Sequence, residues 1–369
     1  MNANPSRQRP AEEDESAQLL SRTARDLPPG RHQFHKERLM AQIQDMRQRE
    51  ESTGVAASGV KTRRLRLPRP AITLPAMAAA VTGVIVAATV LNNGGGGGLA
   101  TGPALTTDLG TVTSDGVPQL LDRISLAAAT SDDASRPPVA PGQFVYVESQ
   151  VADTFLKIEG DDASLASYAL HTRQIWQSAD GSEGWLIDPA VNDGPEGETL
   201  SLPDEQGNPR VPNINGPSYD YLTQLTTDPD QLLAKIYKET EGMGNSPDQQ
   251  AFSTIGDLLG ESYPPAELYS ALFKTAAKIP GVVVVNDAED AAGREGIAVA
   301  RLDETSGARE EWIFDRKTFV FLGERSVQVE EREEEGVIFE PGTIMHTSAI
   351  IDRAVVDGMK QTPGESSPS

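Results

Sequence analysis

Apolar residues follow three different patterns along the chain. From Ala71 to Leu91 they dominate an uncharged run of 21 residues. Before this run they recur at helical spacing, and in much of the stretch after residue 142 they alternate with polar residues as in β-strands. These patterns predict a short helical N-terminal part, one long apolar helix and a strand-rich body.

The run 71–91 predicts a transmembrane helix, because 21 residues at about 1.5 Å per residue cross a hydrocarbon core about 30 Å thick. A buried soluble helix or a cleaved signal are the alternatives, but about sixty residues precede the run, and a signal begins with a short basic segment. The basic segment 61–70 lies before the run, and no Lys or Arg follows it until Arg123. This asymmetry predicts a plasma-membrane protein with a cytoplasmic N-terminus and an extracytoplasmic C-terminal part. The residues that set this topology are Lys61, Arg63, Arg64, Arg66 and Arg69.

Small residues inside the run also suggest a contact between helices. Ala79, Gly83 and Ala87 recur at a spacing of four, which is typical of faces where two membrane helices approach closely. The alternative is that an Ala-rich run produces this spacing by composition alone.

Residues 1–60 predict a cytoplasmic head of two amphipathic helices, broken at Pro28-Pro29-Gly30. On the second helix, Leu39, Ile43 and Met46 share one face. Two short helices cannot bury such a face by themselves, so it predicts a binding surface for a cytoplasmic protein or for the bilayer. The alternative is a solvated tail without fixed structure.

The remaining boundaries follow from composition. Residues 92–141 are rich in Gly, Thr, Ser and Pro and predict a flexible stalk. Residues 142–358 predict the folded extracytoplasmic body, and 359–369 predict a disordered tail. The DPDQLLAKI segment predicts a helix with Asp228 as its N-cap and Pro229 at its first position.

Short serial strands at the end of the body predict an α+β fold. Segments such as GVVVV, GIAVARL, REEWIFD and TFVFLGE follow one another with brief turns, which indicates an antiparallel meander. We therefore expect a curved, half-barrel-like antiparallel sheet with helices on one face. Apolar residues occur at both odd and even positions, so the second face is either covered by loops or forms an apolar groove for a ligand or peptide. The candidate groove residues are Trp312, Phe314, Phe319 and Phe321.

Charge separates the two ends of the chain. Residues 1–69 carry a net charge of +5 and the remainder −28, which together make the total of −23. An acidic extracytoplasmic part repels nucleic acids, so we expect no direct nucleic-acid partner. The chain contains no cysteine, which excludes disulfides, thiolate zinc sites and cysteine nucleophiles.

No motif predicts an enzyme, a cofactor or a metal site. The chain lacks a nucleophile elbow and a phosphate-binding loop, and only His171 and His346 follow the apolar run. We expect both histidines to be ordinary strand residues. The acidic residues Asp287, Glu289 and Asp290 do not follow the order of ligands in an EF-hand calcium loop, so we expect a solvated turn there. We expect the run 330–335 to be the solvated end of a hairpin.

Several segments resemble an uncharacterised actinobacterial family of single-pass membrane proteins. They are DLPPGR in the head, the Ala-rich helix, and GQFVYVES, IWQSADG, TDPDQLLAKI, AAGREGIAVARLD, WIFDRKTFVFLGE and TSAIIDRAVVDG in the body. The resemblance covers nearly the whole chain and rests on structural motifs. It implies an anti-sigma-like layout, since members of that family are frequently encoded beside extracytoplasmic-function sigma factors. It also implies an outer domain similar to the half-barrel of lipoprotein carriers. No Cys stands near His32 or His35, so any sigma binding is expected to be zinc-free.

Two functions follow as expectations. The first is a regulatory or sensory membrane protein whose head binds a cytoplasmic protein, such as a sigma factor, and whose body binds a partner or ligand outside. The second is a membrane-tethered carrier of lipid or lipoprotein, or an envelope-binding module. Binding of a protein by the head separates the two.

Overall fold

The body is an α+β protein with a large antiparallel sheet and few helices. This is seen in a computed structural model, which describes residues 99–130, 136–159, 162–192, 194–200, 211–334 and 336–364. Among these residues, twelve strands join in one sheet, and two short strands form a separate hairpin. The predicted fold class is confirmed at this level.

The described residues form fourteen strands. They are β1 (Thr101–Pro103), β2 (Thr111–Thr113), β3 (Phe144–Glu159), β4 (Asp162–Tyr168), β5 (His171–Ser178), β6 (Gly184–Ile187), β7 (Glu198–Thr199), β8 (Val282–Glu289), β9 (Glu295–Asp303), β10 (Ala308–Phe314), β11 (Phe321–Gln328), β12 (Arg332–Glu334), β13 (Val337–Phe339) and β14 (Ile344–Val356). The main sheet runs β2-β8-β9-β10-β11-β14-β3-β5-β6-β7, with β4 paired to β3 and β1 paired to β4. The predicted meander is the run from β8 to β11.

The helices lie between β7 and β8, apart from the first. They are α1 (Val117–Thr130), α2 (Tyr219–Thr223), α3 (Pro229–Glu239), α4 (Pro247–Gly260) and α5 (Ala266–Ala276). The Asp228 side chain accepts a hydrogen bond from the Gln231 backbone N–H and caps α3, with Pro229 at its start, as predicted. Ser246 caps α4 in the same way.

One side of the sheet, here called the helix side, carries the main hydrophobic core. Apolar residues of α1, α3, α4 and α5 pack there against β8, β9 and β10. Phe252 on α4 stacks on Trp312 of β10, with ring centroids 3.8 Å apart. Arg353 on β14 donates to the carbonyls of Leu259 and Gly260 and so holds the C-terminal end of α4 against the sheet.

The opposite side of the sheet is covered partly by residues 104–110, here called the strap. The Leu105 carbonyl accepts from the Ile344 backbone N–H on β14, and the Leu109 carbonyl accepts from the Arg309 side chain on β10. β2 then adds to the edge of the sheet beside β8. The strap therefore passes over the sheet from β14 to its edge strand.

The structure differs here from the predicted stalk 92–141. Residues 99–130 belong to the folded body, because β1 and β2 pair with the sheet and α1 buries Leu121 and Ile124 in the main core. Composition suggested a linker, but the few apolar residues of this stretch have tertiary partners. Of the predicted stalk, residues 92–98 and 131–135 lie outside the described residues.

The predicted tail 359–369 also differs in part. The Trp176 indole N–H donates to the Gln361 carbonyl at 2.6 Å, and Met359 packs against an aromatic cluster of the sheet. Residues 359–364 therefore continue the body, and 365–369 lie outside the described residues.

Candidate functional site

A row of carboxylates and one histidine crosses the helix side of the sheet. His346 on β14 places its Nδ1 2.7 Å from Asp153 Oδ1 on β3 and its Nε2 3.7 Å from Glu324 Oε1 on β11. The side chains of His346 and Glu324 are nearly buried, while that of Asp153 is 41% exposed. The histidine thus lies between two carboxylates, one of which faces solvent.

Strand register brings these three residues together. His346 lies directly opposite Asp153 in the pairing of β14 with β3, and Glu324 lies opposite Ser348 in the pairing of β11 with β14. Side chains two residues apart on a strand share a face, so all of them project toward the helix side. Asp153 and His346 are 193 positions apart in the chain.

Helix α4 extends the row at one end. Glu310 Oε2 on β10 accepts from Ser253 Oγ at 2.6 Å and from Gln249 Nε2 at 3.0 Å. Two charge-assisted hydrogen bonds therefore fix one oxygen of this half-buried carboxylate. Gln249 also accepts from Arg301, which connects the row to the basic side chain of β9.

Gly256 on α4 provides the space in which the row meets the core. A Cβ at this position would lie 2.6 Å from Trp312 Nε1, 3.1 Å from Glu310 Oε1 and 3.3 Å from Glu324 Oε2. The indole N–H of Trp312 and two carboxylate oxygens therefore lie close to the Cα of Gly256, where any other residue would have a side chain. Within the described part of the chain, Trp312 Nε1 is buried and has no hydrogen-bond partner.

A second histidine lies on the same side of the sheet. His171 on β5 has Nδ1 2.9 Å from the Ala169 carbonyl and Nε2 3.0 Å from Asp188 Oδ1. Burial alone lowers the pKa of His171, but the hydrogen bonds to Asp188 and Ala169, with the charges of Asp188 and Asp153, outweigh it and raise this pKa above 6.5. Arg173 Nε lies 3.4 Å from Asp188 Oδ2 and shares the carboxylate.

The arrangement concentrates negative charge and hydrogen-bonded histidines in one row, which suits it to attract cations and to bind protons. Within the described ranges, no group of three or more His, Asp or Glu residues is arranged to hold a metal ion. The sequence interpretation treated both histidines as ordinary strand residues and did not identify Asp153, Glu310 or Glu324. The alternation of side chains along each strand indicated which residues share a face. It did not indicate which strands are neighbours, so these residues could not be placed together.

The predicted groove residues do not line a groove. Trp312, Phe314 and Phe321 are buried in the main core beneath the helices, and Phe273 on α5 contacts Phe314 edge-on at 5.6 Å between ring centroids. Phe319 lies in the turn before β11 with a φ of +58° and packs against the same core. The physical reason for the correction is that helices α4 and α5 occupy the face that the sequence left open.

The predicted solvated turn at Asp287, Glu289 and Asp290 is wrong in part, because Asp287 and Glu289 lie on β8 and Asp290 is buried. Asp290 is fully buried and accepts hydrogen bonds from Ala292 and Arg294, while Asp287 pairs with Arg316 at 2.7 Å. Glu289 lies directly opposite Glu295 where the backbones of β8 and β9 pair. The run 330–335 includes β12, in which Arg332 pairs with Glu334 at 3.2 Å; position 335 lies outside the described residues.

The N-terminal predictions fall on residues that lie outside the described part of the chain. Among the residues that are described, none of the helices has the length and apolar character needed to span a membrane. The predicted positions outside the described part are the head face Leu39, Ile43 and Met46, the basic residues Lys61, Arg63, Arg64, Arg66 and Arg69, and the small-residue face Ala79, Gly83 and Ala87.

Comparison with known proteins gives the chain no family. No protein-family model matches it, and no curated protein sequence matches it.

Proposed function

We propose that this chain is a single-pass membrane protein of the regulatory or sensory type, with residues 1–60 in the cytoplasm and the acidic body outside. Support comes from the uncharged run 71–91, which follows five basic residues and precedes a part of the chain with a net charge of −28. The membrane bilayer is its first partner, and an extracytoplasmic protein or ligand is the second.

One observation favours regulation over transport of an apolar cargo. The aromatic residues Trp312, Phe314 and Phe321, which a carrier would use to line a groove, are packed against α4 and α5. The body then meets its partner through surface residues, and most of its surface charge is acidic.

We further propose that the sheet curves as a half-barrel around the helices. Register shifts support this, because bulges bend the strands in which they occur. The extra residues are Ile351 on β14 opposite β3, Leu322 on β11 opposite β10, and Met345 on β14 opposite β11.

At the cytoplasmic end, we propose that Leu39, Ile43 and Met46 bind a protein, of which a sigma factor is the favoured class. Burial of three such side chains at about 1.5–3 kcal/mol each supports micromolar binding after ordering costs. Residues 1–60 carry no cysteine, so this contact needs no thiolate zinc site.

The absence of cysteine makes the topology test clean. We would introduce Ser58→Cys or Ser164→Cys singly into the full-length chain and treat intact cells with a membrane-impermeant maleimide. Ser164 is exposed on β4, so its variant is expected to be labelled, while the Ser58 variant is labelled only after the cells are opened. The reverse labelling would overturn the proposed orientation.

The regulatory proposal is tested at the head. Full-length protein is purified in detergent with and without Ile43→Asp, and cytoplasmic proteins that it retains are identified. We expect the unchanged chain to retain a sigma factor or another regulatory protein and the variant to lose it, while Gln44→Asp, a neighbouring polar position, retains it. Retention of no protein, together with binding of the head to anionic vesicles, would leave the tethered carrier as the better account.

A further inference from the structure

An aromatic cluster lies on the side of the sheet opposite the helices, toward the β6 edge. Trp176 on β5 lies opposite both Tyr146 on β3 and Trp185 on β6, so the three rings form one row across three strands. The Tyr146 and Trp176 ring centroids are 5.1 Å apart, and Ile187 packs beside them. We call these four residues the aromatic cleft.

The last described part of the chain occupies this cleft. Met359 packs against the cluster, Lys360 places its ammonium 3.6 Å from the centroid of the Trp185 ring, and the Gln361 carbonyl accepts from Trp176 Nε1 at 2.6 Å. Lys360 adopts a φ of +66°, a conformation rare for a residue with a side chain. Three consecutive residues thus make three different kinds of contact.

These contacts are the ones by which a protein recognises a short peptide. The bond from Trp176 reaches a backbone carbonyl, which any sequence supplies, whereas the ammonium over an indole face selects Lys or Arg. Trp176 is 1% exposed, and a buried indole N–H needs a hydrogen-bond partner. The cleft is therefore complete only when a peptide carbonyl lies on it.

The surrounding charge favours a basic ligand. Glu148, which accepts hydrogen bonds from Tyr146 and Gln174, lies two residues from the cleft on β3, and Asp352 lies opposite Glu148 on β14. The chain after residue 69 carries a net charge of −28, which draws cations toward its surface. Lys360 is the only cationic side chain among the three tail residues.

We propose that the aromatic cleft is a peptide-binding site. Its ligand is a short segment of a partner protein that adopts a turn, with an apolar residue followed by Lys or Arg. Residues 359–361 of the same chain occupy the site as an intramolecular competitor. This proposal depends on the contacts of the body alone and stands independently of the proposed membrane topology and of the head.

The test compares the intact full-length chain with one that ends at Gly358, both in detergent micelles. Each is titrated with the synthetic peptide GMKQTPG, and the fluorescence of Trp176 and Trp185 is followed. We expect saturable binding to the shortened chain and at least tenfold weaker binding to the intact chain, where the tail competes. The matched peptide GMEQTPG is expected to bind about two- to fivefold more weakly than GMKQTPG, because it lacks the cation over Trp185.

The fold of the shortened chain is checked by its cooperative urea unfolding. If it is folded and binds GMKQTPG no better than the intact chain does, the proposal is wrong. If it does not fold, the intact chain with Met359→Asp and Lys360→Glu is used instead, since these changes weaken the tail contacts and retain the Gln361 backbone carbonyl. Unchanged peptide affinity in that variant overturns the proposal, as does unchanged affinity after Trp176→Phe in whichever chain binds.

Discussion

The two sides of strand β10 are both buried, but by different means. Trp312 and Phe314 point to the helix side and pack against the aromatic residues of α4 and α5. Glu311 and Ile313 point to the opposite side, where Ile313 packs in a small apolar cluster and the strap contacts Arg309, the neighbour of Glu311 on that side. There Glu311 is fully buried and accepts from Arg309 at 2.6 Å and from Arg325 at 2.7 Å.

The difference shows how one strand is buried on both sides in a body of modest aromatic content. Helices supply large apolar faces, so the helix side is stabilised by burial of aromatic rings. A strap of seven residues has little apolar surface to offer, and its backbone and hydroxyl groups instead complete an ion network. Thr107 Oγ1 accepts from Arg325 at 3.0 Å, and the Leu109 carbonyl accepts from Arg309.

The largest effect is expected from Glu311→Gln. The change leaves two buried guanidinium groups without their carboxylate, and breaking a buried ion pair in this way costs about 3–5 kcal/mol. The free energy of unfolding is measured by urea titration of the full-length chain, with tryptophan fluorescence as the signal. Glu304→Gln is the control, because the Glu304 side chain is 67% exposed, and it is expected to change stability by less than about 0.5 kcal/mol. Equal effects of the two changes would contradict the importance of the network.

Loss of the strap hydroxyl is expected to have the next largest effect. Thr107→Val removes the acceptor of a charge-assisted hydrogen bond from buried Arg325, at a cost of about 1.5–3 kcal/mol. Thr106→Val changes the neighbouring exposed residue and is expected to be close to neutral. If both variants unfold at the same urea concentration as the unchanged protein, the strap does not stabilise that side of the sheet.

On the helix side, Gly256→Ala tests the close contact between α4 and Trp312. The added methyl group would lie 2.6 Å from Trp312 Nε1, so the helix or the indole must move, at a cost of about 1–3 kcal/mol. Gly260→Ala in the same helix meets no atom within 4 Å and is expected to be neutral or slightly stabilising. A result in which both substitutions stabilise the protein would mean that α4 does not pack closely on the sheet.

The smallest effect is the pH dependence that His171 contributes. Its pKa is raised above 6.5 in the folded state, so its stabilising contribution is fully present below pH 6.5 and is lost as the pH rises through the folded-state pKa. The difference in free energy of unfolding between the unchanged protein and His171→Gln should therefore decrease with rising pH above 6.5. Asp188→Asn is expected to remove most of this pH dependence, and a difference that increases with pH would contradict it.

Much of the fold was accessible from local patterns. An Asp-Gly pair is a hairpin-turn signal, and Asp180-Gly181 connects β5 to β6 with Gly181 at a φ of +76°. Leu268, Leu272 and Ala276 recur at a spacing of four, which is typical of one helix face, and this face of α5 is buried. These features depend on a few neighbouring residues, so a single sequence contains enough information to identify them.

The candidate site was less accessible, because its residues meet only through strand register. No local pattern distinguished Glu310, Glu324 and Asp153 from other acidic residues, and nothing local placed Asp153 beside His346. Likewise, the apolar character of Trp312 and Phe314 was recognised, but the groove interpretation was wrong, because α4 and α5 cover that face.

The sequence by itself determined the period of each element, and hence the strands, the capped helices and the antiparallel meander. Only the tertiary structure decided which side of each strand is covered, and by what. The strap lies in the predicted stalk and Gln361 in the predicted tail, yet both lie on the sheet and complete its buried polar groups. The physical reason is that periodicity is a property of adjacent residues, whereas burial depends on contacts between residues far apart in the chain, such as Thr107 and Arg325, which lie 218 positions apart.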